Sequence, residues 1–142
     1  MPETNPAPAK PAAARPAPAS FDYAILRVVP RVEREEFINA GVVVFCLEKR
    51  YLDARILLNE DRLRALWPEV DAELVRQHLE AIPRICLGDP AAGPIAALSQ
   101  RERFHWLTSP RSTIIQPSPV HTGVCENTEG ILDRLATQFL SG

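Results

Sequence analysis

One segment in the second half of the sequence is dense in side chains that can hold an anion. Residues 101–122 read RERFHWLTSPRSTIIQPSPVHT, and Arg111 is followed at once by two hydroxyl side chains. A guanidinium beside hydroxyl donors suits a phosphate or a carboxylate, and a histidine can transfer a proton near neutral pH. With two residues from outside this segment, the candidate site residues are Arg27, Asn39, Arg101, Arg103, Arg111, Ser112, Thr113, Gln116, Ser118 and His121.

Two interpretations of this segment stay open at the level of sequence. Ser, Thr and Pro are ordinary loop formers, so the segment can be a connector whose polar groups are satisfied within the fold. If residues 112–116 form a strand, Ser112 and Gln116 face one side and Thr113 the other, and the whole set cannot converge on one ligand. A ligand site requires instead that Arg111 and His121 reach a single anion.

The sequence lacks the motifs that usually mark an enzyme or a metalloprotein. It has no GxGxxG or GxxxxGK[ST] loop for phosphates, no GxSxG elbow and no HExxH pair. Its three cysteines are widely separated, without the close pairs of a zinc site or a disulfide framework. We therefore expect no metal and no cofactor, and a binding function rather than an enzymatic one.

The cysteines are not expected to do chemistry. Cys46 and Cys86 lie in apolar patterns that are typical of core residues. Cys125 stands in a polar stretch and is expected to carry an exposed thiol. No basic cluster adjoins Cys125 in the sequence to lower its pKa, so a nucleophilic role is not predicted.

The N-terminal residues differ in composition from the rest of the chain. The first 20 residues hold six of the 14 prolines, together with many alanines. Such a segment has too little apolar surface to offset the entropy of ordering it. Residues 1–20 are therefore predicted to form a disordered tail, and residues 21–142 a single domain.

Charge and hydropathy argue against two classes of partner, nucleic acid and membrane. The chain has 16 Lys and Arg residues against 18 Asp and Glu residues, so it has no basic field to attract nucleic acid. Its longest apolar run, residues 42–47, is far shorter than the roughly 20 residues that span a bilayer. Prolines interrupt any signal-peptide pattern at the N-terminus. The sequence predicts a soluble, cytoplasmic protein and leaves its oligomeric state open.

Hydrophobic periodicity predicts an α+β fold. Strands are expected at residues 23–29, 42–47, 51–58 and 112–116. The first is largely apolar on both faces, and the second and third should pair as a hairpin. A short helical turn over residues 33–38 should end at 39–41. Helices are expected near 59–67, 71–86, within 95–107 and over 128–140, with Pro83 kinking or ending the second. The third should bury Phe104 and Leu107, and the last should bury a stripe of Ile131, Leu132, Leu135, Ala136 and Phe139. This order favours a small, mainly antiparallel sheet of about four strands packed with three to four helices.

Two stretches of the sequence resemble a bacterial family, the domain-of-unknown-function family numbered 3037. They are FDYAILRVVPRVEREEFINAGVVVFC and RFHWLTSPRSTIIQPSPVHTG, and the resemblance covers about residues 21–140. It implies no known activity. It implies one candidate partner, a kinase similar to HipA, because relatives are often encoded beside such kinases.

Two functions follow as hypotheses. The first is a small regulatory or interaction module acting with a HipA-like kinase. The second is a binder of, or an enzyme on, a phosphorylated small molecule or nucleic acid. In that case Arg111 would neutralise the anion, Ser112 and Thr113 would orient it, His121 would move a proton, and Arg27 would add a cation.

Overall fold

An antiparallel sheet with helices on both faces forms the fold. The computed structural model describes residues 17–140, so most of the predicted tail lies outside the described residues. Within that range the strands are β1 (Ala19–Val28), β2 (Ile38–Cys46), β3 (Tyr51–Ile56), β4 (Ile115–Pro117) and β5 (His121–Cys125). The α-helices are α1 (Glu60–Leu66), α2 (Ala72–Cys86), α3 (Gln100–Thr108) and α4 (Ile131–Leu140). The predicted α+β class is confirmed, with five strands rather than about four.

Strand β1 is the centre of the sheet. One edge of β1 pairs with β2, and β2 pairs in turn with β3 in the predicted hairpin. Its other edge is shared, because β4 pairs with Leu26–Val28 and β5 with Ala19–Tyr23. The strand begins at Ala19, so the boundary predicted after residue 20 falls inside it.

Ser118 connects β4 to β5 without opening the edge of β1. Its backbone N–H donates to the carbonyl of Ile25 over 2.8 Å, and its Oγ accepts the N–H of Ile25 over 2.8 Å. Pro119 and Val120 then lie opposite Ala24 alone, since His121 is already paired with Tyr23. This is a β-bulge, in which two residues face one. Within residues 17–140, Ser118 is the single polar residue that is fully buried, with 3% exposure.

The two faces of the sheet bury separate cores, as the apolar faces of the predicted first strand require. Helices α1, α2 and α3 cover one face, and their core with the strands includes Leu26, Val43, Phe45, Leu63, Leu79, Ile82, Phe104 and Leu107. Helix α4 covers the other face, where its apolar stripe packs on Phe21, Ile25, Val42 and Val44. The predicted buried stripes of α3 and α4 are confirmed.

Two local predictions are wrong, and a third is wrong in part. Residues 39–41 do not end a helical turn; they lie in β2, where Ala40 is the extra residue of a bulge opposite β1. The turn is the shorter 3₁₀ segment Val32–Arg34, which Glu35 closes in a left-handed conformation with φ 56°. Pro83 does not end the second helix, because α2 continues through it to Cys86. A proline removes one N–H donor and its ring crowds the carbonyl four residues back, and packing of α2 on the sheet outweighs that cost.

The predicted strand at residues 112–116 is displaced, and one strand was missed. Pairing with β1 begins only at Ile115 and includes Pro117, which an edge strand tolerates. β5 gave no sequence signal because Cys125 is its one buried residue. Phe21 makes the missed strand possible, since its ring covers Gly123 so closely that a Cβ there would lie 2.6 Å from Phe21 Cζ.

The hydrogen bonds of Ser118 generate a stability prediction. Ser118→Ala leaves the buried N–H of Ile25 without an acceptor, so the free energy of unfolding should fall by about 1–3 kcal/mol. Urea unfolding followed by circular dichroism measures this. The matched control is Ser112→Ala, which removes an exposed hydroxyl and should change little. Equal effects of the two substitutions would contradict the role of Ser118.

Candidate functional site

The segment over residues 111–121 runs along the outer edge of β1 and separates two grooves. Thr113, Ile115 and Pro117 line a groove on the face covered by α2 and α3, which we call the helix-side groove. Ser112 and Gln116 line a groove on the opposite side, together with Arg27; we call it the Arg27 groove. The segment therefore contributes to two sites rather than one, and within β4 the alternation of side chains separates Gln116 from Ile115 and Pro117.

The helix-side groove is a cavity of about 410 Å³ with mainly apolar walls. Side chains from α2, α3 and β4 form these walls, among them Ile82, Ile85, Leu107, Ile114, Ile115 and Pro117. Polar groups sit at the rim: His78 and Gln77 on α2, and Thr113. No Asp or Glu is among the residues that line it.

Arg111 lies against Trp106 on one wall of the helix-side groove. Its Cζ is 4.7 Å from the centre of the Trp106 ring, a cation–π contact. Its guanidinium also donates to the carbonyls of Trp106 and Ser109 and so covers the end of α3. Burial lowers the pKa of Arg111 from its ordinary value, yet arginine stays charged at neutral pH. The groove thus has apolar walls beside one fixed cation.

The Arg27 groove is more polar and has a volume of about 360 Å³. On the sheet, Arg27 is paired with Asn39 of β2 on one side and with Gln116 of β4 on the other. Directly opposite residues share a face, so these three predicted site residues form a row across three strands. Arg27 and Gln116 line the groove with Ser112, Glu35 and Phe37, whereas Asn39 lines a different cleft.

Two other predicted arginines lie apart from both grooves. Arg103 donates to the carbonyls of Ile85 and Cys86 at the end of α2, over 2.9 and 2.5 Å, and to the carbonyl of Leu98 over 2.9 Å. It therefore acts as a structural cap on α2. Arg101 is exposed on α3 and lines a separate cleft with His105.

The remaining predicted residues also separate. Asn39 donates to the carbonyl of Phe139 near the end of α4, over 3.2 Å. Ser118 is buried in the β1 edge, as described above. His121 is exposed on β5, with its ring 5.4 Å from the ring of Tyr23, which packs on the α4 side of the sheet. Arg111 lies on the other side, so the structure does not bring Arg111 and His121 to a common anion.

Sequence reasoning missed three aromatic groove residues. Trp106 and His78 line the helix-side groove, and Phe37 lies beneath Arg27. Trp106 and Phe37 are partly exposed, at 39% and 44%. The sequence does not show that these two rings are exposed, because an aromatic residue in an amphipathic pattern is normally assigned to the core.

The cysteines contribute no reactive group. All three are buried, so the expectation of an exposed thiol at Cys125 is wrong. Burial raises the pKa of the Cys86 thiol to about 12 and also raises that of Cys125. Among residues 17–140, no group of three His, Cys, Asp or Glu side chains is arranged to hold a metal ion.

The fold defines a small α+β protein whose sheet is covered on both faces, with a groove on each side of β4. The chain belongs to the family described as "Protein of unknown function (DUF3037)", whose model matches residues 23–140. No curated protein and no solved structure matches the chain. Over the described residues, the helices are too short or too polar to cross a membrane.

The different roles of Arg103 and Arg101 can be tested as a pair. Arg103→Ala removes charge-assisted bonds to three carbonyls and should lower the free energy of unfolding by about 2 kcal/mol. Arg101→Ala, on the same helix but exposed, should have little effect. Thermal and urea unfolding compare them. A larger loss for Arg101→Ala would contradict the capping role of Arg103.

Thiol labelling tests the buried cysteines. With its pKa raised to about 12, Cys86 at pH 8 is thiolate in only roughly one molecule in ten thousand. A disulfide reagent that reacts with thiolates should therefore label the folded protein far more slowly than the urea-unfolded chain, which should react at all three cysteines. Rapid labelling of Cys125 in the folded protein would contradict its burial at the end of β5.

Proposed function

We propose that this protein is an interaction module that binds a segment of a partner protein in the helix-side groove. The segment presents apolar side chains next to an Asp or Glu. The observation that carries this proposal is the apolar cavity of about 410 Å³ beside the Trp106–Arg111 pair. Its size is within the range of specific ligand pockets, and aromatic residues and arginine are enriched among the residues that dominate binding energy.

Charge complementarity supports an acidic segment. Arg111 is the fixed charge in the lining, and no carboxylate opposes it there. A carboxylate brought to Arg111 would pair with its N–H donors near an apolar surface, where the interaction is less screened than in water. A basic segment would meet repulsion at the same place.

The edge of β4 supports binding through side chains rather than by strand addition. β4 has three residues, and Pro117 has no N–H to offer a new strand. The hydroxyl of Thr113 already donates to the carbonyl of Ile115 over 2.9 Å. Few backbone groups are therefore available for another strand, and the groove is the more favourable contact surface.

A kinase similar to HipA is the partner we propose, in the cytoplasm, because the family resemblance implies it. The module would regulate or assist that kinase. The motifs that usually mark an enzyme are absent from the sequence, in line with a binding role. The separation of Arg111 from His121 does not favour the alternative in which these two residues process one phosphorylated ligand.

Binding of the purified kinase to the full chain, measured by titration calorimetry, tests the proposal. Trp106→Ala should weaken binding by about tenfold or more, as expected for a central aromatic contact. Arg111→Gln should weaken it several-fold and reduce its dependence on salt. The controls are Val124→Ala, an exposed apolar residue on β5, and Arg101→Gln, both outside the groove. Their affinities should match that of the unmodified chain.

A second measurement examines the groove without the kinase. Trp67→Phe leaves Trp106 as the remaining indole of the two in the chain. Anilinonaphthalene sulfonate, an apolar ring system with an anion, should then quench Trp106 emission saturably, and Arg111→Gln in the same background should weaken this. If the kinase does not bind, the proposed partner is wrong. If neither groove variant changes the affinity, or if quenching is not saturable, the helix-side groove is not the binding site.

A further inference from the structure

The side chain of Arg27 is a charged group in the sheet whose hydrogen bonding the fold leaves incomplete. Arg27 lies on β1, the central strand, and is largely covered by its neighbours. Its Nε is completely buried and has no hydrogen-bond partner among residues 17–140. A buried donor without an acceptor is costly, and a buried guanidinium normally has an anionic or carbonyl partner.

Phe37 satisfies one part of this requirement. The Cζ of Arg27 lies over the Phe37 ring, 4.3 Å from its centre, in a cation–π contact. This contact does not use the N–H donors of the guanidinium. Nε is enclosed by the fold, and the two terminal Nη groups are the donors that remain for another group.

The Arg27 groove offers space and further polar contacts next to these donors. Its volume of about 360 Å³ is enough for a small organic acid. Ser112 contributes an exposed hydroxyl, and Gln116 is held by a bond from its Nε2 to the carbonyl of Thr113 over 2.8 Å. Val29 and Val32 give the groove an apolar side opposite these groups.

Glu35 is the one acidic residue among those that line the Arg27 groove. It lines the same groove, and its left-handed backbone is set by the end of the 3₁₀ segment Val32–Arg34. Arg27 and Glu35 form no ion pair, whereas the neighbouring Arg31 and Arg34 are paired with Glu33 and Glu36. The carboxylate of Glu35 thus leaves Arg27 available and tunes how strongly an anion is held.

We propose that the Arg27 groove binds the oxyanion of a small molecule, a carboxylate or a phosphate. The N–H donors of Arg27 hold two of its oxygens, the Ser112 hydroxyl donates a further bond, and Phe37 with Val32 contacts an apolar group attached to it. This site is separate from the helix-side groove, because β4 lies between them. The proposal of this anion site does not depend on whether a partner binds in the helix-side groove.

Nitrogen–proton correlation spectra of the arginine side chains test the site directly. The Nε–H signal of Arg27 is assigned by its loss in Arg27→Lys, and the full chain is titrated with benzoate, acetate and inorganic phosphate. We expect a saturable shift of that signal. Tighter binding of benzoate than of acetate or phosphate identifies an organic carboxylate as the ligand, and tighter binding of phosphate identifies a phosphate.

The variants distinguish this site from other causes of a shift. Arg27→Lys, which keeps the charge but loses the planar fork, should weaken binding about tenfold. This variant lacks the Arg27 Nε–H signal, so the backbone amide signals of the groove residues measure its affinity and that of the unmodified chain. Ser112→Ala should weaken it several-fold, and Glu35→Gln should strengthen it, since a like charge is removed. Arg101→Lys is the control and should bind as the unmodified chain does.

Two results would overturn the proposal. The first is an Arg27 Nε–H signal that none of the three probes moves at concentrations up to about 50 mM, far above the millimolar range of a weak specific site. The second is a shift whose affinity is unchanged in both Arg27→Lys and Ser112→Ala, which would place the bound anion outside the Arg27 groove. Thermal unfolding of each variant confirms that it is folded before its binding is compared.

Discussion

The hydrogen bonds between Ser118 and Ile25 hold the outer edge of β1 closed at the point where β4 ends and β5 has not yet begun. A hydroxyl replaces the carbonyl that a regular strand would supply, so the chain can bulge at Pro119 without leaving a buried N–H unsatisfied. Without that bond, β4 and β5 would be two separate short strands on a central strand with a gap in its ladder. Both cores of the protein lie directly against that strand.

The position of β4 on this edge decides what each neighbouring side chain can reach. Because extended residues alternate, one short strand supplies an apolar wall to the helix-side groove and polar groups to the Arg27 groove. A sequence segment rich in polar residues therefore need not form a single binding site. In this segment some polar residues cap helices, some complete the sheet, and the others face solvent on opposite sides.

Hydrophobic periodicity was sufficient to predict the fold class, the β2–β3 hairpin, and the buried stripes of α3 and α4. It could not predict β5, whose stability comes from Phe21 covering Gly123 across the strand pair, a contact between residues far apart in sequence. The row of Asn39, Arg27 and Gln116 could not be predicted from the sequence either. Its members were each identified by their chemistry, but only the strand register, including the bulge at Ala40, places them together.

The pairing of β1 with β5 joins parts of the chain that are about as distant as this domain allows; Thr122 bonds to Asp22 across 100 residues. On the ribosome, β1 and β2 emerge first, and the outer edge of β1 has no neighbour until the last third of the chain has been made. A strand this apolar would then be a template for aggregation. Arg27, charged and placed between apolar residues near the end of β1, is the kind of residue that discourages such pairing during synthesis.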